Sequence, residues 1–296
     1  MPTYDTPEPI SATFELEAGT ARITAGKRTD TVVEVLPHNG SDENDVRAVQ
    51  QTQVTFSGGH LTVRTPKKRS LFGKSGAIEV NVELPLGSDI RATTAMGSFF
   101  CDGHFGEVTL KSSLGDLQVD EVAGAHLKTD LGDIRLARAT GDIEVIGAGR
   151  IEVGTATGAA TVKNGNGATK VGEVTGGLKI NAANGEISVG IAHSSVDAKS
   201  ANGRIEIGVA HAGVTAVSSN GSIRVDDAAR GRIDLRTSVG ELEVGVHEGT
   251  AAWLDLDTKF GAVRRELGSA DGPSDSDETV EVYARSAAGD IIIRRA

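Results

Sequence analysis

From residue 87 onward the chain alternates apolar and polar residues in short runs that break at a glycine. Two and four residues after that glycine the position is usually apolar. Leu117/Val119, Ile134/Leu136, Ile151/Val153, Ile187/Val189, Ile205/Ile207, Ile223/Val225 and Leu242/Val244 follow this rule. Seven and five residues before it the same holds, as in Val108/Leu110, Leu178/Ile180, Val196/Ala198, Val214/Ala216, Ile233/Leu235 and Leu254/Leu256. A period of two is the mark of a strand with one buried face. Each unit therefore reads as two short strands joined at a glycine corner. The corners are Gly97, Gly115, Gly132, Gly149, Gly167, Gly185, Gly203, Gly221, Gly240, Gly261 and Gly289, spaced 18, 17, 17, 18, 18, 18, 18, 19, 21 and 28 residues apart.

In the middle of this array the pattern sharpens to Asn-Gly. Asn166-Gly167, Asn184-Gly185, Asn202-Gly203 and Asn220-Gly221 recur every 18 residues. Repeats of this size signal stacked coils. A corner of this kind calls for a positive φ, which Gly and Asn tolerate best. Stacking would place the asparagine amides in a ladder. The sequence thus predicts an all-β chain, a right-handed parallel β-helix (β-solenoid) with coils of about 18 residues. The competing architecture is an antiparallel β meander, because Asn-Gly between alternating strands is also a strong hairpin signal. A meander, however, has no need of identical residue rows at a fixed period.

Residues 1–86 do not keep the period. They read as an N-terminal β layer capping the stack, with strands over Ala12–Glu17, Ala21–Ala25, Thr31–Leu36, Val54–Phe56, Leu61–Arg64 and Ala77–Leu84. His38–Asp45 reads as a polar loop and Gly58-Gly59 as a hairpin turn. The solenoid is expected over 87–296. Two insertions stand out. In 65–76, Lys67, Lys68, Arg69 and Lys74 surround Leu71 and Phe72, which makes this the candidate interaction loop, for a partner or an anionic lipid surface. Gly73-Lys74-Ser75 is not a phosphate loop, since Lys68 stands where the earlier glycine is needed. The stretch 268–278 is an acidic insertion and reads as a solvated loop.

Composition narrows the function classes. Aromatics are 3% of the chain, so Val, Ile, Leu and Ala must fill the interior. A net charge of −11 argues against nucleic acid as a partner. The single cysteine, Cys101, falls on an inward position and reads as packing rather than a nucleophile. The histidines show no metal-ligand spacing, and neither metal nor cofactor is expected. A polar row three residues before the corner (Ser112, Thr129, Asn164, Ser200, Ser218, Thr237, Thr258, Ser286) reads as corner chemistry. So does a basic row one residue earlier. The opening stretch has no charged and apolar leader pattern, and no apolar run spans a bilayer. The expected location is the cytoplasm.

The segments FELEAGTARITAGKRTDTVVEVLP, LTVRTPKK and IEVNVELPLGSDIRATTAMGSF, followed by tandem SSLGDLQV, TDLGDIRL and ANGEISV units, resemble the bacterial putative-adhesin family of β-strand repeats. This family is also called the toast-rack domain, a domain of unknown function. The resemblance covers nearly the whole chain. It implies the repeat fold, carries no catalytic residues, and points to cell-envelope stress systems or adhesion. The leading expectation is a non-enzymatic β-solenoid scaffold or protein-interaction module, with an unknown protein partner and self-association through the solenoid ends. The alternatives are a surface adhesin after non-classical export and a carbohydrate-active β-helix enzyme.

Overall fold

The computed structural model describes residues 2–66, 76–267 and 278–296. The chain divides into two compact units, Met1–Ala148 and Gly149–Ala296. Both are parallel β-solenoids of short strands. The antiparallel meander is excluded, because every strand pairing in the second unit is parallel.

In the second unit the coils lie rung on rung, like residue over like. Before the corner, Leu178, Val196, Val214, Ile233, Val282 and Leu254 are successive partners. After it, Ile187, Ile205, Ile223, Leu242, Ile291 and Val263 are. These rows put branched side chains on one face of each strand, and all but the final members, Leu254 and Val263, are buried. The inward alternation slips by one residue later in the coil. Val174, Ala192, Ala210 and Ala228, seven residues past the corner, are also buried. The slip occurs at a second glycine row, Gly154, Gly172, Gly190 and Gly208. A Cβ at Gly190 would lie 2.3 Å from the Gly172 carbonyl oxygen, so only glycine lets the rungs approach there.

Both terminal coils depart from chain order. The strand Thr279–Ala288 pairs with Gly231–Val239 on one side and Ala251–Phe260 on the other. Ile291–Arg295 likewise lies between Leu242–Val246 and Val263–Arg265. The last coil in sequence is therefore not the last rung. It is inserted one rung in, and Ala251–Phe260 with Val263–Arg265 forms the end. The first unit shows the same device at the other terminus. Ser11–Gly26 is one long strand bent at Gly19. It lies between His60–Arg64 and Ile78–Pro85 on one side and Asp89–Met96 and the start of Phe99–Leu114 on the other.

The outer rung of the first unit is covered. Gln53–Ser57 pairs antiparallel with His60–Arg64 through the Gly58-Gly59 turn. Asp30–Pro37 pairs antiparallel with Ile78–Pro85, and Thr3–Asp5 with Asp30–Pro37. The expected polar loop His38–Asp45 is instead the lead-in to a helix, Glu43–Gln51, which packs against Asp30–Pro37 and Ile78–Pro85. Asp42 caps it by accepting from the Asn44 amide at 2.8 Å. Asp45 is buried and accepts from the backbone N–H of Asn39 at 2.9 Å and of Ala77 at 2.7 Å. Asp45→Ala strands both donors, and a loss of about 2 kcal/mol in the urea unfolding of this unit is expected. Asp42→Ala should cost about 1 kcal/mol. Equal effects from the two would show that Asp45 is no more than a helix residue. The interior here also differs from an all-aliphatic one, since Phe14, Phe99 and Phe105 are fully buried.

Candidate functional site

The surface is built from the corners. Most strands before a corner end with an inward polar residue whose side chain donates to the carbonyl of an adjacent rung's corner glycine. Ser112 donates to Gly97 at 2.8 Å, Thr129 to Gly115 at 2.9 Å and Asn164 to Gly149 at 3.0 Å. Ser218 to Gly203, Thr237 to Gly221, Ser286 to Gly240 and Thr258 to Gly289 continue the row. These bonds satisfy carbonyls that the tight corner would leave bare. Thr169, polar at an inward position, is matched by the Asn164 amide at 3.0 Å. Ala182 interrupts the row, and the next member, the Ser200 hydroxyl, has no partner among the described residues.

The residue just before the corner glycine points outward. In the second unit Asn166, Asn184, Asn202 and Asn220 are direct partners across rungs. The Asn202 amide donates to Asn184 Oδ1 and Asn220 to Asn202 Oδ1, each at 3.0 Å. The backbone N–H of Gly167, Gly185 and Gly203 donates to the asparagine carbonyl of the next rung. Positive φ is confined to glycine: no other described residue adopts it, and among the indexed corners Gly97, Gly149 and Gly261 do not. Asparagine is thus selected for lateral amide bonding rather than for backbone conformation.

The same row in the first unit is apolar. Met96, Leu114 and Leu131 are successive partners, and they are 52%, 46% and 58% exposed. A period indexed on the corner glycine does not single out this ridge, because the residue before the glycine changes type from one stretch of corners to the next. The signal was present as MG, LG and LG at Met96-Gly97, Leu114-Gly115 and Leu131-Gly132.

The charged rows neutralise one another locally. Lys128 pairs with Asp130, Lys199 with Asp197, Arg236 with Asp234 and Arg285 with Asp255, each two residues apart or on a neighbouring rung. The hydrogen bond from Arg236 to Asp234 raises the guanidinium pKa above its ordinary value. Carboxylates beside the corner act on the backbone. Asp116 accepts from the Asp133 amide at 2.8 Å and Asp290 from Ala262 at 2.9 Å. Several histidines sit beside single carboxylates: His126 by Glu144, His193 by Glu173, His247 by Asp227. No group of three potential metal ligands occurs among the described residues. Cys101 is buried, and burial pushes its thiol pKa up, away from the nucleophilic thiolate.

Two open grooves lie on the sheet faces. One, of about 750 Å³, is lined by Glu15, Thr93, Thr94, Lys111, Ser113 and Lys128 in the first unit. The other, of about 630 Å³, runs over Thr161, Lys179, Asp197 and Thr215 to Arg232 in the second. Beyond it the Arg232 guanidinium lies 3.9 Å from the Tyr283 ring, whose other neighbour is Trp253 at 5.1 Å. The candidate loop residues Lys67, Lys68, Arg69, Leu71, Phe72 and Lys74 lie outside the described residues, as does nearly all of the acidic insertion 268–278.

Among the described residues no helix is long and apolar enough to cross a membrane. No curated protein matches the chain. Among solved structures it is similar to a putative adhesin from Parabacteroides merdae ATCC 43184 at 12% identity, covering 83% of this chain and 94% of that one, with a TM-score of 0.32. A putative adhesin from Bacteroides fragilis NCTC 9343 aligns at 13% identity over 99% and 95%, with a TM-score of 0.27. A putative cell adhesion protein from Clostridium sporogenes ATCC 15579 aligns at 12% identity over 100% and 98%, with a TM-score of 0.22. The Toastrack DUF4097 family model matches residues 13–294, and the chain belongs to that family.

Proposed function

We propose that the chain is a non-enzymatic β-solenoid interaction module that works in the cytoplasm and offers a protein partner the ridge Met96, Leu114 and Leu131. The ridge is the observation that carries this reading. Three large apolar side chains on consecutive rungs stand more than 45% exposed, whereas the inward apolar rows are buried up to their end members. An aligned apolar strip of this kind marks contact surfaces on soluble proteins. What supports the non-enzymatic part is the use made of the carboxylates. Asp116 and Asp290 brace backbone amides, Asp197 and Asp234 pair with neighbouring cations, and no group of three potential metal ligands gathers among the described residues.

The test is affinity capture with the tagged full chain from an extract of the native cell, beside Leu114→Asp/Leu131→Asp. Both positions face solvent, so the variant should fold. A protein captured by the wild type and lost from the variant supports the reading. Equal capture by both overturns the ridge as the contact. Fractionation that finds the chain only outside the cell would replace the cytoplasmic part with the exported-adhesin alternative.

A further inference from the structure

The end rung of the second unit is built like an interior rung but has only one neighbour. Ala251–Phe260 pairs on one side with Thr279–Ala288, and among the described residues no strand lies on its other side. Val263–Arg265 pairs only with Ile291–Arg295. The core rows run up to this edge and stop half covered. Leu254 and Leu256 are only partly buried, whereas their register partners Val282 and Ala284 are fully buried. Trp253 is 55% and Phe260 79% exposed. Natural edge strands are usually short, bulged, proline-bearing or covered. This one is ten residues long, without proline, and carries four large apolar side chains. The outer rung of the first unit, by contrast, is covered by antiparallel strands.

We propose that this end rung pairs with the same rung of a second copy of the chain, antiparallel, about a two-fold axis near Thr258. The charges on the edge are self-complementary in that arrangement. Asp257 and Lys259 flank Thr258, both are exposed, and neither has an ion-pair partner among the described residues. Rotation about Thr258 sets each Asp257 opposite the partner's Lys259 and each Leu256 opposite the partner's Phe260. Leu256–Phe260 pairs with its own copy up to the corner at Gly261, and Leu256, only partly buried in the single chain, comes under the partner's edge. The assembly closes at two copies. A head-to-tail chain would need a second open edge to accept this one, and the first unit's outer rung is already paired.

Sedimentation equilibrium of the full chain should give twice the chain mass at high concentration, falling to the single-chain mass on dilution. Phe260→Glu should raise the dissociation constant at least about tenfold. Asp257→Lys should do the same, and Asp257→Lys/Lys259→Asp should recover wild-type association. The altered side chains are solvent-exposed in the single chain, so circular dichroism should be unchanged. A chain monomeric at every concentration overturns the proposal, as does a mass that keeps growing beyond two copies. A double variant as weak as the single overturns the axis at Thr258. A monomer that still captures a protein through Leu114 and Leu131 overturns the second-copy pairing and leaves the interaction-module reading standing.

Discussion

Gly203→Ala should destabilise the second unit by more than about 3 kcal/mol, far above an ordinary surface substitution. Two penalties combine. Gly203 has φ +153°, where an L side chain is strained, and a Cβ there would lie 1.9 Å from the Gly185 carbonyl oxygen. That oxygen belongs to the backbone of the neighbouring rung, which is held by its own ladder and has no rotamer to change. Relief requires the rungs to part at the corner, breaking the bond from the Gly185 amide to the Asn202 carbonyl at 2.9 Å. Other glycines of the same unit separate the two penalties. Gly249 has φ +80° with open space around it, so Gly249→Ala should cost only about 1–2 kcal/mol. Gly177 has neither penalty, its nearest contact being the Ser195 hydroxyl at 3.9 Å, and Gly177→Ala should stay within about 0.5 kcal/mol of wild type. Urea midpoints that do not fall in this order would show that the corners are not in close contact.

Val282→Asp should be worse still, at more than about 4 kcal/mol, because it places a carboxylate in the core without a partner. Val282 is fully buried, between Ile233 on one rung and Leu254 on the other. Where the damage spreads is the sharper test. In a solenoid wound in chain order, the final coil would fray alone and Ala251–Phe260 would keep its amide protection. With the final coil inserted one rung in, Ala251–Phe260 loses its one strand partner. Hydrogen exchange should therefore show protection lost over both Thr279–Ala288 and Ala251–Phe260, and retained over Ala160–Asn166. Protection persisting in Ala251–Phe260 would contradict the insertion.

The regular coils were legible because one force acts on every rung alike. Positions that must be buried recur at constant distance from the corner, so Ile187, Ile205 and Ile223 announce both their strands and their register. The corner glycine row and the polar row three residues before it were legible for the same reason. Features that depend on which rung lies beside which were not. The spacings of 21 and 28 at the end mark an irregularity, but spacing alone does not say that the final coil turns back between its predecessors. The helix Glu43–Gln51 was missed because it is short and mostly polar, with Val46 and Val49 its only long aliphatic side chains. The second glycine row at Gly154, Gly172, Gly190 and Gly208 was visible as a repeat. Its meaning, a one-residue slip in the inward alternation, comes from the packing. The apolar ridge and the bare end rung likewise depend on what covers a row, and residue type does not report that.

The inserted final coil also governs the order in which the molecule can be made. Synthesis runs from the N-terminus, so residues 231–265 leave the ribosome before the segment that must lie between them. In that interval Leu254, Leu256 and Thr258 present the same inward pattern as Ile233, Leu235 and Thr237, and the two rungs can close on each other directly. A nascent chain stalled with 279–296 still in the exit tunnel is predicted to be held in that collapsed pairing, with protease cutting at different sites from the finished protein. Before 279–296 can take its place, the two rungs it separates must part again.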